Sequence, residues 1–268
     1  MLVVSDNINV AYSHVAKAIE ARDGGSIREL AHRVDNAGAD VIDLNLGPMN
    51  GESVEVLSWL VEQVQSVSKM QISLDAHSSE AIMVAAEKCE QKPIINTYFV
   101  QSAKPQEVKD KLLPFAAERG FEVILPTIGH NGPPLDPDER ASLAAELVDV
   151  ALAAGLTADM IFVDPVVIHL SGPDAQEHAL AVMETMKRIP SLYDNPPVKT
   201  IAGVDYLSAG APQELHSPIN RTMLAMLGAL GLDAAMVNVT DPAVMRDIRL
   251  VRALRNESLY SVSDAEMK

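Results

Sequence analysis

At 268 residues and a formal net charge of −16, the chain is long enough for one large domain and too acidic to favour nucleic acid or an anionic membrane as a partner. Hydrophobic residues make up 48% and aromatics only 4%, so the core must be built from Ala, Val, Ile, Leu and Met. The single cysteine, Cys89, excludes an intrachain disulfide. With no paired histidine nearby it reads as the free thiol of a cytoplasmic protein rather than a nucleophile. The start, M-L-V-V-S-D-N, has no basic leader, and no run reaches 18 apolar residues, so a soluble, unexported protein is expected.

Short apolar runs rich in Val and Ile alternate with longer runs of helical period. The expected strands are Leu2–Ser5, Asp40–Leu46, Gln71–Asp75, Ile94–Thr97, Phe121–Pro126, Met160–Asp164, Lys199–Val204 and Ala235–Asn238. Apolar residues at i, i+3, i+4 and i+7 predict helices between them, most clearly over Val54–Val67, Arg140–Ala154, His178–Arg188 and Arg221–Leu230. Eight such cycles of about 33 residues account for nearly the whole chain, which suits a single (β/α)8 barrel domain over 1–268. An open doubly wound sheet would carry a Gly-rich phosphate loop after its first strand, and Ser5–Tyr12 contains no glycine. The irregular stretches Thr127–Asp138 and Leu207–Pro218 both follow strands and so belong to the C-terminal face, where barrel active sites sit. Residues 256–268 read as a polar tail or a short helix.

Polar residues end these strands. Asp43 and Asn45 close the second, Asp75 the third, Asn96 the fourth, Asp164 the sixth and Asn238 the eighth. A carboxylate or amide among the branched residues of a barrel interior is costly unless satisfied. Any one of them can cap the following helix; so many converging on one rim suggest a binding site instead. The ring holds acceptors and amides with no Lys or Arg, which suits a flat neutral heterocycle bearing N–H and amino groups and suits a phosphorylated ligand poorly. Mg2+ held by the three carboxylates is the competing reading. The amides are weak metal ligands, however, and no His-x-His or Glu-x-x-His spacing at the strand ends supports a transition metal, so no bound metal is expected.

The segments A-G-A-D-V-I-D-L-N-L-G-P (Ala37–Pro48), I-S-L-D (Ile72–Asp75), P-I-I-N-T (Pro93–Thr97), F-V-D-P (Phe162–Pro165) and P-I-N-R-T-M-L-A-M (Pro218–Met226) are short, but they fall in a shared order over almost the full chain. In this it resembles the pterin-binding methyltransferases, which move methyl groups between tetrahydrofolate and a corrinoid on a dihydropteroate synthase-like TIM barrel. The resemblance implies that Asp75, Asn96 and Asp164 bind the pterin ring, that Asp43 and Asn45 support the pocket base with Gly203 at its edge, and that Asn220 and Arg221 are structural. It further implies tetrahydrofolate or 5-methyltetrahydrofolate as substrate, a corrinoid carried by a partner protein, and a homodimer.

Three motifs differ from the family pattern. The first strand ends Ser5-Asp6-Asn7-Ile8-Asn9 in place of Gly-Glu-Arg-x-Asn, and the third continues Asp75-Ala76-His77-Ser78. After the seventh, Gly203-Val204-Asp205-Tyr206 stands where Gly-x-Ser-Asn supplies the asparagine that hydrogen-bonds pterin N5. The candidate N5 donors are therefore Tyr206, Asp205 and Asn238. His77, His130 and His216 lie on loops expected to face the corrinoid, and for His130 and His216 a purely positional role is the plainer reading. Two alternatives stay open: a dihydropteroate synthase-like enzyme, although Gly203-Val204-Asp205 supplies no lysine for it, and a pterin- or corrinoid-binding barrel without catalysis.

Overall fold

The computed structural model describes residues 1–47, 53–97, 105–193 and 196–265. Its strands are β1 (Leu2–Asn9), β2 (Val41–Asn45), β3 (Gln71–Asp75), β4 (Ile94–Asn96), β5 (Glu122–Pro126), β6 (Ile161–Asp164), β7 (Lys199–Gly203) and β8 (Ala234–Val237). They pair in parallel in chain order, and β8 returns to β1, closing the barrel. Around it run α1 (Ser13–Glu20), α2 (Gly24–Asn36), α3 (Ser53–Gln65), α4 (Ser79–Ala86), α5 (Pro105–Glu107), α6 (Leu113–Arg119), α7 (Pro137–Ala153), α8 (Ala175–Arg188), α9 (Gln213–Ala229), α10 (Pro242–Leu254) and α11 (Val262–Ala265). None of the described helices is long and apolar enough to cross a membrane.

The alternation of strand side chains sorts the core into two clusters. Val4, Val41, Ile94, Ile124, Phe162, Ile201, Ala234 and Met236 pack together inside the barrel. The larger set, including Ile42, Leu44, Leu74, Val123 and Val163, packs outward against the helices. At the N-terminal end, Lys199 pairs with Glu122 and lies 4.6 Å above the Phe162 ring. Helices on the other side start on side-chain caps: Ser78 accepts from Ala81 N, Asp136 from Asp138 N and Asp241 from Ala243 N.

Two boundaries differ from the sequence expectation. β1 runs to Asn9 instead of Ser5, because a register shift between Ser5 and Ile8 lets polar residues continue the pairing with β2. The stretch expected to be irregular as far as Pro218 is helical from Gln213, with Pro218 inside α9. Near the C-terminus a short helix, α11, forms, and residues 266–268 lie outside the described set.

Candidate active site

The strand ends converge on a cavity of about 420 Å3 at the C-terminal mouth of the barrel. Register brings Asn9, Asn45, Asp75 and Asn96 side by side across β1 to β4. Asp75, 1% exposed, is the hub. Its Oδ2 accepts from Asn45 Nδ2 at 2.7 Å and from Asn96 Nδ2 at 3.0 Å. Asn45 is fixed in turn by Gly47 N, which donates to its Oδ1 at 2.8 Å. Two amides thus hold one carboxylate as a preorganised acceptor at the cavity wall.

Asp164 faces the cavity from β6, where it pairs with Pro126 of β5. Its Oδ1 accepts from Val166 N at 2.7 Å. Burial pushes its carboxyl up to about 6, opposed by that N–H and by the Arg140 guanidinium. Val166 has φ +61°, a left-handed conformation that a β-branched residue adopts only under strain, at a cost of ~1–3 kcal/mol. Val166, Val167, Ile168, Pro126 and Ile128 supply apolar walls, so the cavity pairs a polar rim with surfaces against which a flat ring can lie.

Asp43 lies beneath this ring and not in its lining. It is fully buried, and neither carboxylate oxygen has a hydrogen-bond partner among the described residues. Burial, then the charges of Asp75 and Asp6, hold its carboxyl well above the usual carboxylate range. Asp6 and Asn9 also line the cavity. Asn9 Nδ2 donates to Asp6 Oδ1 at 2.9 Å, and burial raises the Asp6 carboxyl to about 6. Sequence reasoning missed both as site residues because it ended β1 at Ser5. The signal available was the alternation that places Asp6 on the same side as Val4.

Of the candidates for the N5 end, Tyr206 lines the cavity at its lip. It is 56% exposed, and its ring meets His169 edge-on at 5.9 Å. Gly203 forms the adjoining wall. Asp205 turns away to accept from Asn220 Nδ2 at 2.9 Å and from the Asn238 backbone N–H. Burial and the nearby Asp6 raise its carboxyl to about 7. The Asn238 side chain accepts from Asn7 Nδ2 at 2.6 Å and from Thr240, stitching the end of β8 to β1. Asp205 and Asn238 thus stand behind the wall that Tyr206 faces. Arg221 pairs with Asp247 at 2.6 Å, tying α9 to α10.

The three rim histidines separate. His77 lines the cavity, with its imidazole pKa lowered by burial. His130 is exposed in a turn closed by mutual Gly129–Gly132 backbone bonds. His216 Nε2 lies 2.9 Å from Ala211 O, at the start of α9. Neither lines the cavity. Among the described residues no three His, Cys, Asp or Glu side chains gather as a metal-holding group. Cys89, far from the mouth, is partly buried, and burial pushes its thiol up to about 12.

The family model described as pterin binding enzyme matches residues 6–238, from the middle of β1 to just past the end of β8. The chain belongs to the pterin-binding enzymes. A relative, the methylcorrinoid:tetrahydrofolate methyltransferase of Eubacterium limosum, is 26% identical over 257 residues, covering 95% of this chain and 91% of that one. Among solved structures, a dihydropteroate synthase from Coxiella burnetii in complex with pteroic acid superposes with a TM-score of 0.70 at 14% identity, covering 96% of this chain and 94% of that one. The dihydropteroate synthase from Thermus thermophilus gives 0.66 at 18% identity, covering 87% and 88%. These two share the fold with this pterin-binding enzyme.

Proposed function

We propose that this barrel moves a methyl group between N5 of tetrahydrofolate and the cobalt of a corrinoid. The observation that carries the reading is the pairing of Asp75, held by Asn45 and Asn96, with Asp164 in one apolar-walled cavity. Carboxylates so placed accept from the N–H and amino groups of a pterin edge, while the walls enclose its faces. No Lys or Arg lines the cavity among the described residues, which disfavours the dihydropteroate synthase-like alternative, whose pyrophosphate leaving group calls for cations. The 26% identity to a methylcorrinoid:tetrahydrofolate methyltransferase over most of both chains supports methyl transfer in particular.

A methyl on N5 is a poor electrophile, because its departure leaves an amide-like anion. Transfer to Co(I) therefore needs N5 to accept a proton or a strong hydrogen bond as the C–N bond breaks, and the reverse reaction needs the same group. Tyr206 takes that role. Its phenol stands at the lip, at the position of the asparagine that the family pattern would supply. Asp205 and Asn238 hold the wall behind it, and Asp205, at about 7, is poised to exchange a proton near neutrality. His77 stands at the mouth where a separate protein would present the corrinoid. A homodimer is part of the same reading, carried over from the resemblance.

The test is a rapid-mixing experiment with cob(I)alamin, 5-methyltetrahydrofolate and the protein, followed by absorbance. Conversion to methylcobalamin is expected, and Tyr206→Phe is expected to slow it by ~10–100-fold with folate affinity retained. Folate binding with no methyl transfer in the wild-type protein would point to a barrel that binds without catalysis.

A further inference from the structure

Arg140, in the first turn of α7, is fully buried, yet none of its hydrogen bonds goes to a carboxylate. Its guanidinium donates to backbone carbonyls instead. Nε reaches Pro134 O at 2.7 Å in the loop after β5, and Nη1 reaches Pro165 O at 2.9 Å and Val166 O at 3.5 Å in the loop after β6. Nη2 lies 2.8 Å from Nδ1 of His178 on α8. An arginine only donates, so this Nδ1 is the acceptor, and the proton of the neutral imidazole resides on Nε2. Desolvation and the facing guanidinium, which lower the His178 pKa, favour that neutral form.

The carbonyls that Arg140 grips belong to the turn that holds Asp164. Val166 is kept at φ +61°, and this directs its N–H to Asp164 Oδ1, leaving the other carboxylate oxygen for a ligand. A buried cation with a rigid fork matches two converging carbonyls as a lysine would not. We propose that Arg140, steadied by His178, is a positioning residue for the pterin site: it clamps the left-handed Val166 turn and so aims Asp164 into the cavity. This rests on the pterin reading and assigns to it a group that itself touches no ligand.

The experiment measures affinity for 5-methyltetrahydrofolate by titration and stability by thermal melting. The proteins are wild type, Arg140→Lys, Arg140→Met and Val166→Gly, each arginine variant combined with Val166→Gly, and Asp164→Ala. Arg140→Met is expected to weaken binding at least about tenfold. Glycine adopts positive φ without a clamp, so adding Val166→Gly to Arg140→Met is expected to recover most of the lost affinity. A merely structural arginine would give no such recovery. Arg140→Lys keeps the charge and folds more readily. Alone it is expected to lose about fivefold in affinity, and combined with Val166→Gly it is expected to lose little. Wild-type affinity in Arg140→Met or Arg140→Lys, or losses that Val166→Gly leaves unchanged, would overturn the proposal. Unchanged affinity in Asp164→Ala would instead remove the pterin reading beneath it, so the two failures are separable.

Discussion

Asp75 and Asp164 reach the cavity by different means, and their substitutions should read differently. Asp75 is held by two side-chain amides, so Asp75→Ala deletes an acceptor and also strands Asn45 and Asn96. Asp164 is held by a backbone N–H. Each alanine substitution is expected to weaken 5-methyltetrahydrofolate binding by at least about tenfold, or ~1.4 kcal/mol, in a calorimetric titration. Affinity near wild type in both variants would remove the pterin from this cavity. These residues and Asn96 were legible in the sequence because each is a polar residue closing an apolar run. Asp6, Asn9 and Arg140 were not. Asp6 continues the alternation from Val4 but lies past the expected end of the strand, Asn9 follows a register shift that no pattern announces, and Arg140 fell at the start of a helical period in which an arginine is ordinarily solvated.

Strands and helices followed from period and length, because an alternating βα chain buried on both faces of its sheet leaves continuous apolar runs that polar turns interrupt. The expected and observed strands agree closely except at β1. The start of α9 was obscured by Pro218, which punctuates a sequence without stopping this helix. The Val166 turn was invisible, since the positive φ belongs to a valine where glycine would be the usual signal. Packing between elements makes its own prediction. A Cβ on Gly228 of α9 would lie 2.7 Å from Val251 Cγ1 of α10. Gly228→Val is therefore expected to cost ~1–3 kcal/mol of stability by overpacking, read as a lower melting temperature with folate affinity retained. A melting temperature at or above wild type would show that the α9–α10 contact yields without strain.

For the molecule as a whole, the carboxyls buried at the mouth set a pH dependence. Asp6 and Asp164 are raised to about 6 and Asp205 to about 7, each chiefly by burial, against 3.8 ordinarily. The folded protein holds these protons more tightly than the unfolded chain does. Their contribution to stability is fully present below about 3.8, falls as the pH rises above that value, and is lost once the pH has passed through about 6 for Asp6 and Asp164 and about 7 for Asp205. His77 and His178, with lowered pKa values, oppose this only as the pH falls through their own range, below the ordinary 6.5. Above pH 6.5, where Asp6 and Asp164 have largely ionised and the histidines no longer titrate, Asp205 carries what is left, so the melting temperature of the ligand-free protein should still fall between pH 6.5 and 8, by ~2–4 °C per kcal/mol lost. Asp205→Asn should flatten that slope; an unaltered slope would show that Asp205 does not carry it.

The same concentration of acceptors at one end of a closed barrel is what the proposed activity uses. It is tested most directly by a crystal structure with 5-methyltetrahydrofolate bound. The expected result is a pterin between the apolar walls, its amino and N–H edge on Asp75 and Asp164, and N5 within hydrogen-bond reach of the Tyr206 hydroxyl. A pterin bound outside this cavity, or seated in it with N5 turned away from Tyr206, would contradict the assignment.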